Sequence, residues 1–147
     1  EDVRERLAEA EGEVKPADWL LQELILGRVE YATSLLVEQG KILDAVCTAY
    51  EYDAEEYVWP NVQELGRHFL EEAPPEHLQV MGAFLSEYSG ICNFNYKERE
   101  QGGAVCILEV NTRVGADLAC DVPRPRARRL FERLDELSAS LGKGGAG

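Results

Sequence analysis

Ile91-Cys92-Asn93-Phe94-Asn95-Tyr96-Lys97, a polar stretch from Glu98 to Gly103, and Ala104-Val105-Cys106-Ile107-Leu108-Glu109-Val110-Asn111 decide how this chain is read. Side chains alternate between the faces of a strand, so Ile91, Asn93, Asn95 and Lys97 share one face and Cys92, Phe94 and Tyr96 the other. On the return strand Val105, Ile107, Glu109 and Asn111 are expected on one face, with Cys106, Leu108 and Val110 opposite. A register that joins the apolar sets places Asn95 diagonal to Glu109, within reach of a common ligand. Glu109 is the informative residue, because a carboxylate inside a run of apolar strand residues must be paired, solvated or bound to a cation. Asn95, Glu109 and Asn111 offer the oxygen donors that magnesium prefers, and magnesium usually takes one or two carboxylates plus substrate phosphates. An open-faced strand whose polar side meets water would show the same pattern.

Working outward, a first hairpin precedes this one. Val29 to Glu38 and Lys41 to Tyr50 are β-rich and separated only by Gln39-Gly40, where glycine supplies the positive φ of a tight turn. Upstream, Val3 to Ala10 reads as a short amphipathic helix, and the apolar run Trp19 to Ile25 has strand length and ends at Gly27. Glu51 to Pro60 is acidic and aromatic and reads as a loop. Two helical stretches are expected between the hairpins, Val62 to Glu71 and Pro75 to Tyr88, the second with Pro75 in its first turn and Leu78, Met81 and Leu85 inward. Pro123 to Leu141 is a charged amphipathic helix with Leu130, Leu134 and Leu137 inside, followed by a Gly-rich tail from Gly142 to Gly147. Antiparallel strand pairs with helices inserted as a block predict an α+β fold, an antiparallel sheet with packed helices. Residues 1–122 form the expected main unit, and residues 123–147 the C-terminal helix and tail.

Composition narrows the function. The chain has 147 residues, 45% apolar, and a net charge of −13 from 28 acidic and 15 basic residues. One core of ordinary size fits that length. The charge repels phosphate backbones and anionic lipids, so neither a nucleic acid nor a membrane is an expected partner. No apolar run approaches the roughly 20 residues that span a bilayer, and the acidic N-terminal residues do not resemble a signal peptide, so a cytoplasmic location is expected. Cys47, Cys92, Cys106 and Cys120 lack the paired spacing of a zinc site and read as free thiols, most of them buried.

The string Ser89 to Lys97, followed by Ile107-Leu108-Glu109-Val110-Asn111-Thr112-Arg113, resembles the closing hairpin of ATP-grasp domains, as in biotin carboxylases, D-alanine ligases and carbamoyl phosphate synthetases. In that family the pattern is a glycine, an acidic residue on the following strand, and then Glu-x-Asn-x-Arg, whose Glu and Asn hold magnesium ions on the ATP phosphates. The resemblance implies that Glu109 and Asn111 are metal ligands and that Arg113 is catalytic, offsetting negative charge. Asn95 stands where the family usually has Asp or Glu, a departure that removes one negative charge and weakens cation binding. Leu20 to Tyr31 resembles the family's hinge strand, with Glu23, Leu24 and Ile25 against adenine and Glu30 on the ribose hydroxyls. The likeness covers about residues 1 to 120 and is strongest in Gln22 to Lys41 and Gly90 to Asp117.

What this resemblance implies is the C-terminal, larger lobe of an ATP-grasp fold that binds ATP and Mg2+. The reaction would be phosphorylation of a small-molecule carboxylate to an acyl phosphate, then attack by an amine or another nucleophile. Val14-Lys15-Pro16 is not followed by the glycine-rich loop of the opposing lobe, so the chain is expected to be incomplete on its own. The alternative is a non-catalytic nucleotide-binding or structural remnant, and a third reading is an acidic interaction module.

Other residues take plainer readings. His68 and His77 are expected on helix surfaces, and Asp53, Glu55 and Glu56 in a solvated loop. Arg126 and Arg129, beside Arg124 and Arg128, are expected to pair along their own helix with Glu132 and Glu136. Asp117 lies where the family often positions substrate-side residues.

Overall fold

The computed structural model describes residues 22–56, 61–99 and 103–144. The expected helix Val3 to Ala10, Lys15 and positions 19–21 of the first apolar run lie outside them, as do 57–60, 100–102 and 145–147. The described elements are β1 (Val29–Glu38), β2 (Lys41–Tyr52), β3 (Glu64–Leu70), α1 (Pro75–Gly82), β4 (Gly90–Glu98), β5 (Val105–Asn111), α2 (Ala116–Cys120) and α3 (Arg124–Gly144). The strands form one antiparallel sheet in the order β3-β2-β1-β4-β5. This is an α+β fold. Among the described residues no helix is long and apolar enough to cross a membrane.

The first hairpin closes as its sequence dictates. Gln39 and Gly40 take φ of 48° and 79°, the two positive values of a two-residue turn that matches strand twist. A Cβ on Gly40 would come 2.5 Å from the Ser86 carbonyl oxygen, so a side chain is excluded there by contact as well as by backbone conformation.

Central strand β1 is buried on both faces, with Leu35, Leu36 and Val37 all fully inaccessible. Leu35 and Val37 pack with Met81 of α1, Leu85, Cys92, Phe94 and Tyr96. Leu36 and Val46 pack on the other face with Leu118 of α2 and with Val122, Leu130 and Leu137 at and along α3. Each such side chain contributes about 1.5–3 kcal/mol by leaving water, which is why α3 belongs to the same core as the sheet.

Four expectations are corrected. Val62 to Glu71 is not helical: Glu64–Leu70 is strand β3, whose ladder on the edge of β2 outweighs the helix-forming Glu, Leu and Arg in it. The first apolar run makes no strand over residues 22–27. His77 is buried, 1% exposed, because α1 turns His77 and Met81, four apart, to the same inner face. Arg126 does not pair along its helix but crosses to β2, binding both carboxylate oxygens of Asp44 and the Ala45 carbonyl at 2.8 Å. Burial alone would raise the Asp44 pKa, but the hydrogen bonds and charge of Arg126 more than offset it and leave Asp44 below its ordinary value.

His77 joins a polar network inside the core. Its Nδ1 lies 2.9 Å from the Tyr96 hydroxyl and its Nε2 3.0 Å from Glu98 Oε1. Tyr96 also meets Thr33 Oγ1 at 3.0 Å, and Tyr31 donates to Glu98 Oε2 at 3.1 Å. Cys47 and Cys92 are buried free thiols, Cys106 is half-buried and Cys120 exposed.

Candidate functional site

α2 and α3 cover only the part of their sheet face around Leu36 and Val46. Beside them a hollow of about 370 Å3 opens, lined by Glu30 and Ala32 of β1, Asn93 and Asn95 of β4, and Glu109 and Asn111 of β5. Arg113 and Asp117 close one end, and Tyr50, Arg67 and Asp121 the other side. Ala32 makes the room: it pairs with Thr48 on one side and Asn95 on the other, a methyl where neighbouring positions carry longer side chains.

The ladder sets Asn95 directly opposite Glu109 and Asn93 opposite Asn111, closer than the diagonal expected from the sequence. A β-bulge does this. Asn95 pairs with Glu109 but Tyr96 with Ile107, so Leu108 is an extra residue on β5. Val105 and Ile107 therefore face the core under α1, while Glu109 and Asn111 face the hollow. The expectation that these four share one face is corrected by that single inserted residue.

Five of the eight residues picked from the sequence, Glu30, Asn95, Glu109, Asn111 and Arg113, thus line one hollow. The other three do not. Glu23 is exposed and ion-paired with Arg99, whose hydrogen bond lowers the Glu23 pKa; Leu24 is 51% exposed, and Ile25 is buried. The segment they lead into borders a second cavity, about 480 Å3, whose walls include Leu26, Val29, Tyr31 and Glu98.

Glu30 is half-buried, and its pKa is raised by that burial, with the nearby Glu109 charge adding to the effect and Lys97 opposing it. Lys97 is 2% exposed, and burial lowers its pKa against the pull of Glu30. Its ammonium donates to the Gly27 carbonyl at 2.8 Å and the Glu55 carbonyl at 3.4 Å, tying the segment before β1 and the loop after β2 to β4.

The sequence reading missed several lining residues. Asn93 was placed on the right face but given no role. Arg67 was hidden because its segment was read as a helix; on β3 its guanidinium lies over the Tyr50 ring, 5.4 Å from the centroid, and pairs with Glu64 and Asp121. Tyr50 donates to Asp121 at 2.6 Å, and burial followed by that carboxylate raises its pKa. Asp117, singled out only by resemblance, is 2% exposed and accepts from Ser34 and Asn93.

The donor set consists of hard oxygen atoms, of the kind magnesium takes. Among the described residues no three His, Cys, Asp or Glu side chains come together, so a zinc-type cluster does not fit. One carboxylate, Glu109, between amide oxygens does fit a magnesium ion that brings phosphate oxygens of its own. Arg113, two residues past Asn111, and Arg67, on the far side of the hollow, place cationic groups beside and across from the oxygen donors. No protein-family model matches the chain, and no curated protein matches it.

Proposed function

We propose that this chain is the ATP- and magnesium-binding part of a carboxylate-activating ligase of the ATP-grasp type. The observation that carries the reading is the hollow itself, which gathers Glu30, Asn95, Glu109, Asn111 and Arg113 from three strands and the turn after β5. Glu109 and Asn111 hold the cation, with Asn95 opposite Glu109. Glu30 accepts from the ribose hydroxyls. When bound, magnesium shields phosphate charge and polarises the transferred phosphoryl group. Arg113, exposed at the mouth, offsets negative charge that develops as a substrate carboxylate is phosphorylated. No side chain of the chain is needed as a nucleophile, because positioning and electrostatics carry such a reaction.

Calorimetric titration with ATP and Mg2+ tests this. The wild-type chain gives a saturable isotherm, and Glu109→Ala, which removes the carboxylate of the ladder pair, weakens it by about tenfold or more, some 1.4 kcal/mol. No heat with the wild type, or equal affinity in Glu109→Ala, refutes the reading.

The neutral Asn95 and the exposure of Glu23 and Leu24 favour a second reading, a non-catalytic nucleotide-binding or structural remnant of the same fold. It predicts no nucleotide binding, or nucleotide binding that is independent of Mg2+ and of Glu109.

A further inference from the structure

Asn93 is 3% exposed and spends both amide hydrogens inward: Nδ2 donates to Asp117 Oδ1 at 2.9 Å and to Ser34 Oγ at 3.1 Å. Only the NH2 group can donate to a carboxylate, so the chemistry of the partners fixes which way the amide points. Its Oδ1 accepts no hydrogen bond from the described residues and remains for the hollow that Asn93 lines beside Asn111. Ser34 Oγ in turn donates to both Asp117 oxygens at 3.1 Å.

Asp117 is unusual for a buried carboxylate. Among the described residues its carboxylate is held by Ser34, Asn93 and backbone N–H groups at the start of α2, with no Lys or Arg hydrogen-bonded to it, whereas buried charges are ordinarily paired or bound to a metal. The turn leading to α2 is moulded to the pair: a Cβ on Gly115 would overlap Asp117 Oδ1 and Asn93 Nδ2, so only glycine lets the chain close over them.

We propose that Asp117 is the outer carboxylate of the cation site, a positioning residue that orients and polarises Asn93 so that Asn93 Oδ1 serves as a further oxygen donor in the hollow. This rests on the cation-binding reading of that hollow and extends it. A carboxylate accepting from the NH2 of an amide draws electron density toward the amide oxygen, as outer carboxylates do for metal-bound histidines. The negative charge missing from the strand at Asn95 is thereby held one hydrogen bond deeper.

The test uses Mn2+ as probe on the full chain, by paramagnetic resonance with and without ATP, beside thermal melting. Asp117→Asn weakens Mn2+ binding by about tenfold or more. The exchanged variant Asn93→Asp/Asp117→Asn keeps one carboxylate and one amide in the same hydrogen bond but turns the charge into the hollow; it binds Mn2+ at least as tightly as the wild type. Should Asp117→Asn not fold, the exchanged variant is compared with the wild type directly. A purely structural Asp117 would lower the melting temperature of Asp117→Asn and leave its Mn2+ affinity intact, which overturns the inference. So does an exchanged variant that binds more weakly than the wild type. If the wild type binds no Mn2+ at all, the reading of the hollow fails and this inference with it; if it binds and Asp117→Asn binds equally, only this inference fails.

Discussion

Replacing Asn95 with aspartate is the most direct way to ask whether the hollow is built for a cation. Asn95 stands opposite Glu109 in the ladder, so the variant sets two carboxylates across one strand pair. Glu109 is exposed, so water screens the pair and a near-bulk dielectric is the appropriate starting point. There, two unit charges 4 Å apart interact by about 1 kcal/mol, so a divalent cation gains about 2 kcal/mol from the new carboxylate. Repulsion between the two carboxylates is present with and without the cation and cancels in the affinity, so a gain of about 2 kcal/mol corresponds to roughly 30-fold tighter binding. Mg2+ titration at saturating ATP and neutral pH measures it, and the gain shrinks as salt screens it. Val110→Asp is the control. Val110 pairs with Phe94, on the opposite sheet face, and adds the same charge without facing the donors. If Asn95→Asp fails to tighten Mg2+, or Val110→Asp tightens it equally, the local oxygen cluster is not the cation site and only the general acidity of the chain is at work.

Two further outcomes test the fold. Tyr96→Phe removes the hydroxyl that meets His77 Nδ1, Thr33 Oγ1 and Cys47 Sγ; Thr33 keeps the Cys47 thiol, so His77 Nδ1 is left unsatisfied, a loss of about 1–3 kcal/mol readable in chemical denaturation. Tyr31→Phe, which loses only one bond to Glu98, costs less. Asp44 has a lowered folded-state pKa, so its pair with Arg126 stabilises the chain fully above the unfolded value near pH 4, and the contribution fades as pH falls through the folded value. The melting-temperature gap between wild type and Asp44→Asn is therefore constant above about pH 5 and closes in stronger acid.

Much of the fold was legible because local chemistry and long-range packing agree. Gln39-Gly40 suits a two-residue turn and takes one, and Leu130 and Leu137 of α3 point where their spacing says they must. Where the two disagree, packing wins. The segment Glu64–Leu70 carries helix-forming residues, yet it lies where the edge of β2 leaves backbone groups unpaired, and strand pairing satisfies them. His77 looked like a surface residue because its sequence neighbours are charged; its partners Tyr96 and Glu98 lie on β4, and no local pattern announces them.

The clustering of Glu109 with Asn111 was legible and their alignment with β4 was not, and the reason is geometric. Glu109 and Asn111 could be read as neighbours because a strand repeats every two residues. Their alignment with Asn95 and Asn93 depends on Leu108 being an extra residue, and nothing in Ile107-Leu108-Glu109 marks a bulge. Asp117 was harder still. It reaches the hollow only after the turn through Gly115 folds back, and it acts on Asn93 24 positions away and Ser34 83 positions away. A strand read by itself shows neutral amides at 93 and 95 and suggests a site short of charge; the folded chain places a carboxylate behind one of them. Charge at such a site is therefore a property of the packed neighbourhood, and a neutral residue in the strand weakens the case for cation binding only if no carboxylate backs it.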